Sequence, residues 1–318
     1  MDGTPDAGAQ QVRDLASHLS DRLVGHDLLI ERLLIALLTG GHLLVEGPPG
    51  LAKTRAVKAL ADAMGGTFSR IQCTPDLMPA DLTGTSVFMP GDGRFEFQRG
   101  PIFHNLVLVD EINRAPPKVQ SALLEAMAER QVTVGNETHP LPDPFLVIAT
   151  QNPIEHDGTF PLPEAQLDRF MLHTILALPD QHTERKILDL VLSEGSQASD
   201  TASKMDLKDL AQMQKAAEAV HLAPELRDYI VRLVMGTRDG DTAKDIEHAA
   251  SPRGSLSLAA AARARAFLHG RAFALPEDVA ALAPDTLAHR MVLSWKAVAD
   301  GRTGRSVVSQ ILETVDAL

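Results

Sequence analysis

The pattern of apolar and polar positions changes character near residue 180. Before that point, short apolar runs alternate with stretches of helical period. The runs are Leu43 to Val45, Phe68 to Gln72, Leu106 to Val109, Phe145 to Ala149 and His173 to Leu178. Near-continuous apolar runs are expected of parallel strands covered on both faces. Helical stretches are predicted over 11–20, 27–39 and 54–64, from Pro116 and Pro117 onward, and briefly after Pro161. In the second of these, Leu29, Leu33, Ile35, Ala36 and Leu37 build an apolar face. Strands alternating with helices predict an α/β fold, a five-stranded parallel αβα sandwich. Two alternating segments around Gly/Asp or Gly/Asn turns predict hairpins, Ser86–Met89 with Arg94–Gln98 and Gln131–Val134 with Glu137–His139. The first has no evident partner strand and reads as an insertion projecting from the core.

After Pro179 only helical patterns are legible, at 183–192, 207–220, 224–238, 255–269, 276–293 and 305–317. Pro224, Ser255 and Pro276 with Glu277 and Asp278 mark starts. The polar run Ser193 to Lys204 predicts a flexible surface loop. Two domains are therefore expected: residues 1–180, an α/β core with its N-terminal helices, and residues 181–318, a smaller all-α domain. A length of 318 residues suits that division.

Composition narrows the function classes. A formal net charge of −12 disfavours a protein whose main work is neutralising nucleic-acid phosphates. Aromatics at 4%, with Trp295 and Tyr229 the only residues of their kinds, leave little for stacking on single strands. One cysteine, Cys73, excludes an intrachain disulfide and a cysteine metal cluster. Met1 to Gln10 lack a basic-then-apolar signal pattern, and the apolar region from Leu28 to Val45 is broken by Glu31, Arg32, His42 and glycines. The expectation is a cytoplasmic protein without membrane insertion.

The candidate chemistry begins at the first strand. It runs into Gly47-Pro48-Pro49-Gly50-Leu51-Ala52-Lys53-Thr54, followed by Arg55 and a helix. A strand, a glycine loop, Lys-Thr and a helix together cradle nucleotide phosphates. Loop N–H groups and the helix N-terminus face the anion, the Lys reaches the β- and γ-phosphates, and the Thr hydroxyl meets Mg²⁺. Ala52 stands where a glycine usually precedes the Lys, and the run alone is also compatible with a tight strand–helix turn. Val24-Gly25 before the second helix could wrap an adenine base or be a turn. The strand Leu106 to Val109 ends in Asp110 and Glu111, which read either as solvated acids capping the next helix or, one α/β unit and a hairpin after a phosphate loop, as the residues that hold Mg²⁺ and act as general base towards water. The strand Phe145 to Ala149 leads to Asn152, which would orient the water or touch the γ-phosphate if that strand is central. Arg253, at a helix start where its charge opposes the dipole, reads equally as solvated or as reaching an external anion.

Together, Gly47-Pro-Pro-Gly-Leu-Ala-Lys-Thr54, Val109-Asp-Glu-Ile-Asn-Arg-Ala-Pro-Pro-Lys-Val-Gln120, Ala149-Thr-Gln-Asn-Pro153, Leu162-Pro-Glu-Ala-Gln-Leu-Asp-Arg-Phe170 and Ser251-Pro-Arg253 resemble the MoxR family of AAA+ ATPases over almost the whole chain. Ala52 resembles that family's own variant of the loop. The resemblance implies ATP and Mg²⁺ at the subunit interfaces of a homo-oligomeric ring, a hexamer. It assigns Lys53 and Thr54 to phosphate and metal, Asp110 to the metal, and Glu111 to the water. Asn152 corresponds to sensor one, Arg253 to sensor two in a helical lid acting in its own subunit or across the interface, and Arg169 to an arginine finger. Arg114 reads either as an interface residue or as a structural salt bridge. The family further implies chaperone work on client enzymes, with metal or cofactor insertion and a von Willebrand factor A-domain adaptor. A nucleotide-gated scaffold and a DNA-acting motor are the competing functions.

Overall fold

The computed structural model describes residues 5–91, 93–152, 158–193, 205 and 207–317. Helices α1 (Pro5–Arg22) and α2 (Asp27–Thr39) lead into β1 (Leu43–Glu46), α3 (Lys53–Ala63) and β2 (Phe68–Gln72). A single turn of helix, α4 (Pro79–Thr83), precedes the hairpin β3 (Gly84–Met89) and β4 (Arg94–Arg99). The core continues through β5 (Leu106–Asp110), α5 (Pro117–Glu129), the hairpin β6 (Gln131–Val134) and β7 (Glu137–Pro140), and then β8 (Leu146–Gln151). The short α6 (Glu164–Leu167) is followed by β9 (Leu172–Ile175) and α7 (Gln181–Ser193).

Five parallel strands form one sheet in the order β2-β5-β8-β1-β9. Side chains along a strand alternate faces, and two apolar clusters divide accordingly. Leu43, Val45, Leu106, Leu108, Leu146 and Ile148 join the cluster shared with α1, α2 and α3. Leu44, Val107, Val109, Val147 and Ala149 join the opposite cluster with α5 and α4. Burial on both faces is why these strands read as unbroken apolar runs. The order also makes β8 central, with β5 on one side and β1 on the other.

The helical region comprises α8 (Leu207–Glu218), α9 (Pro224–Met235), β10 (Ile246–His248), α10 (Pro252–Leu268), α11 (Pro276–Leu287), β11 (Val292–Leu293), α12 (Trp295–Ala299) and α13 (Gly304–Thr314). Its apolar interior is continuous with the α1–α3 side of the sheet, because α2 packs against α8 and α10 as well as against β1. A buried ion pair ties the same parts together, Arg32 Nε to Asp285 Oδ2 at 2.6 Å.

Three local features differ from the sequence expectation. The helix expected over 276–293 stops at Leu287, and β11 pairs antiparallel with β10, so the helical region carries one short strand pair. Met291, Val292 and Leu293 continue the apolar run of α11, which hides the break. The strand expected over 173–178 ends at Ile175, and Leu178 is exposed. The first hairpin pairs with no further strand, as expected, but it does not stand clear of its surroundings: Phe97 stacks on His139 of β7 at 4.1 Å and meets Phe103 edge-on. The loop expected over 193–204 lies outside the described residues, apart from the helical Ser193.

No helix among the described residues is long and apolar enough to cross a membrane.

Candidate active site

The carboxyl ends of β1, β8 and β5 meet in a cleft of about 360 Å³. Gly47, Pro49, Gly50, Leu51, Ala52, Lys53, Thr54 and Arg55 line one wall. Asp110 and Glu111 after β5, and Thr150, Gln151 and Asn152 after β8, line the other. Parallel register produces this convergence: Val45 lies opposite Thr150, and Val109 opposite Ala149. Arg70 and Gln72 complete the cleft from β2.

The loop's glycine requirement is visible at Gly47, where a Cβ would lie 2.9 Å from the Leu176 carbonyl oxygen. Ala52 caps α3 in the left-handed region, with φ 48° and ψ 21°. That conformation costs an L-residue about 1–2 kcal/mol and explains why glycine is the commoner choice there. Lys53 Nζ donates to the Gly47 carbonyl at 2.8 Å. Burial pulls the Lys53 ammonium below its ordinary value, opposed by the charges of Asp110, Glu111 and Glu46. Glu46, at the end of β1, is held below the usual carboxylate range by the hydrogen bond from His173, at 3.0 Å.

The acidic wall is tightly tied. Glu111 sits at φ 56°, also left-handed, and its N–H donates to Thr150 Oγ1 at 3.0 Å. The Thr150 hydroxyl in turn donates to Asp110 Oδ1 at 3.1 Å. Asp110 Oδ2 accepts from Arg70 Nε at 2.7 Å. Glu111 Oε2 accepts from Gln72 Nε2 at 3.0 Å and from Arg114 Nη1 at 3.2 Å. A non-glycine residue held in this backbone region by its neighbours is a familiar feature of functional sites. Cys73, beside this wall, is pushed up to about 12 by burial and by Asp110 and Glu111, and stays a thiol.

Arg70, Gln72 and Thr150 were not singled out by sequence reasoning. Arg70 and Gln72 share a face of β2, but only the strand order brings that face beside Asp110 and Glu111. Val24, Gly25 and Pro48 are not among the lining residues. Gly25 instead approaches Thr183 of α7, where a Cβ would meet the Thr183 methyl.

Arg169 and Arg253 are not in the cleft either. They line a separate cavity of about 390 Å³ with Asp168 and Arg290. Arg253 Nη1 reaches Asp168 Oδ2 at 3.4 Å, and Arg169 Nη1 donates to the Leu124 carbonyl at 2.6 Å. Burial lowers Arg290 to about 10 against the pull of Asp168, which leaves it charged at neutral pH.

A divalent cation fits the cleft only alongside a ligand of its own. No cluster of three or more His, Cys, Asp or Glu side chains among the described residues is arranged to hold a metal. The Thr54 hydroxyl and the Asp110 carboxylate line the cavity, with Thr150 and Glu111 beside Asp110. That sparse oxygen set matches Mg²⁺ bound chiefly through nucleotide phosphates.

Residues 42–172 match the model of the ATPase family associated with various cellular activities (AAA), and residues 238–311 match the AAA lid domain. The chain is 48% identical over 299 residues to Chaperone MoxR1 of Mycobacterium tuberculosis, covering 92% of this chain and 78% of that protein. It is 34% identical over 310 residues to Protein MoxR of Methylorubrum extorquens, covering 91% and 88%. A solved structure from Cytophaga hutchinsonii has a TM-score of 0.89 at 40% identity, covering 98% of this chain and 96% of that one.

Proposed function

The chain belongs to the MoxR family of AAA+ ATPases, and we propose that it hydrolyses MgATP at the interfaces of a homo-oligomeric ring, a hexamer, to remodel partner proteins. One observation carries this reading. Lys53, Thr54, Asp110, Glu111 and Asn152 share a single cleft, while Arg169 lines a different cavity. The cleft holds phosphate loop, acid pair and polar sensor, and its Arg70 is engaged by Asp110; in this reading an arginine from a neighbour completes the phosphoryl-transfer site.

In this reading Lys53 exchanges the Gly47 carbonyl for the β- and γ-phosphate oxygens. The Gln72 amide and Arg114 guanidinium aim the Glu111 carboxylate, and Thr150 fixes its backbone. Glu111 takes a proton from the water that adds to the γ-phosphorus, Asn152 orients that water, and the bond to the ADP oxygen breaks. Thr54 and Asp110, with the nucleotide phosphates, would hold magnesium, which would supply positive charge against the phosphoryl group. Arg169 of the adjacent subunit stabilises charge on the transferred group. We place nucleotide work in residues 1–180 and its transmission in residues 181–318. Metal or cofactor insertion into client enzymes, and work with a von Willebrand factor A-domain adaptor, are extended to this chain from its family.

Replacing Glu111 with Gln tests the chemistry. Binding of a fluorescent ATP analogue should persist while phosphate release falls to background. Turnover at the parent rate would remove Glu111 from the reaction.

A further inference from the structure

Arg290 lies in the turn between α11 and β11, and its side chain is 2% exposed. Its guanidinium is directed mainly at one target, the turn between α6 and β9. Nε donates to Asp168 Oδ1 at 2.9 Å, Nη2 to the Phe170 carbonyl at 2.8 Å, and Nη1 to the Met171 carbonyl at 3.2 Å. Further contacts go to the Thr286 carbonyl and, at 3.1 Å, to Ser257 Oγ. The adjacent His289 ring meets the same Phe170 carbonyl at 3.0 Å. The second oxygen of Asp168 faces Arg253 at 3.4 Å and Ser251 Oγ at 3.3 Å.

Arg169 stands in the middle of the turn so gripped; the residue is exposed, with Nη1 resting on the Leu124 carbonyl at 2.6 Å. Stability alone is a weak reason for this arrangement, because a buried ion pair often does no better than an apolar pair of the same size. A planar fork of fixed N–H groups, however, specifies direction. The grip comes from the helical region and falls on the neighbours of Arg169, not on the phosphate-loop cleft.

We propose that Arg290 is a positioning residue: through Asp168 and the Phe170 and Met171 carbonyls it sets the direction in which Arg169 leaves the surface. The helical region thereby aims the arginine that one subunit presents to the next. This rests on the reading of Arg169 as acting in a neighbouring subunit.

Arg290→Lys keeps the charge and removes the fork. Assembly and affinity for a fluorescent ATP analogue should match the parent, while turnover falls on the order of a hundredfold, as for a misplaced reacting group. Mixing with Lys53→Ala subunits should restore activity, because those chains supply a correctly aimed Arg169 to the variant's intact cleft. A residue that merely holds the fold together would weaken nucleotide binding or assembly and would not be complemented. If Arg290→Lys does not fold, the isosteric Asp168→Asn is carried through the same measurements. Parent-level turnover in a folded variant overturns the proposal. So does absent recovery on mixing when the control pair, Arg169→Ala with Lys53→Ala, does recover. A control pair that fails to recover removes the trans role of Arg169, and the proposal falls with it.

Discussion

Thr150 joins the Asp110 carboxylate to the Glu111 backbone through a single hydroxyl, which makes Thr150→Val an informative perturbation. The side chains are nearly isosteric, and Thr150 is buried, so the change removes hydrogen bonds and little volume. The hydroxyl accepts the Glu111 N–H at 3.0 Å and donates to Asp110 Oδ1 at 3.1 Å. Leaving a buried N–H without an acceptor costs about 1–3 kcal/mol, and a hydrogen bond to a charged group contributes about 1.5–3 kcal/mol. Asp110 keeps its Arg70 partner, so a loss of about 3 kcal/mol is expected, roughly 6 °C in thermal midpoint. The larger effect should fall on turnover. Glu111 is held at φ 56°, and without the Thr150 anchor its backbone has less reason to stay there. A displacement of the base costs on the order of a hundredfold in rate, with ATP affinity unchanged because Lys53 and the loop are untouched. Thr150→Ser retains the hydroxyl and should retain most activity. Steady-state phosphate release and analogue binding on both variants decide the matter. Parent-like turnover in Thr150→Val, or equal damage in Thr150→Ser, would refute the reasoning.

Two further expectations concern backbone strain and acid. Ala52→Gly relieves a left-handed alanine at about 1–2 kcal/mol, while the extra freedom of glycine in the unfolded chain takes back about 0.5–1 kcal/mol. The thermal midpoint should rise by about 1–2 °C, and a fall would refute the left-handed assignment. His42 is buried and neutral: Nδ1 accepts the Val147 N–H at 3.0 Å, and Nε2–H donates to the Met127 carbonyl at 3.2 Å. Burial lowers its pKa to about 4 from 6.5. The unfolded chain therefore takes up this proton first, and stability present above pH 6.5 is lost progressively down to about pH 4, by about 3 kcal/mol from this group. Chemical denaturation of His42→Gln should show a shallower loss across that window; an unchanged slope would contradict it.

How much of this was legible in the sequence depends on the kind of contact. The buried strands announce themselves because both faces are covered; Asp110, Glu111 and Asn152 are recognisable because each sits at the carboxyl end of such a strand, and Lys53 because it opens the helix after the glycine loop that follows one. Strand order is not written in local pattern, so Arg70 and Gln72 acquire meaning only when β2 pairs with β5. The break after Leu287 is masked by the apolar Met291, Val292 and Leu293. Arg290 and Asp168 lie 122 residues apart and meet only through tertiary packing. Arg253 reads as a displaced cation from its helix start, yet which anion it meets, the Asp168 carboxylate here, is a property of the fold.

Specific ATPase activity as a function of protein concentration tests the shared site most directly. Analogue binding per chain should be independent of concentration, since each cleft holds its own phosphate loop. Turnover per chain should be near zero where light scattering reports monomers and should rise as rings assemble and Arg169 enters the neighbouring cleft. Turnover per chain that stays constant down into the monomeric range would contradict a site built from two subunits.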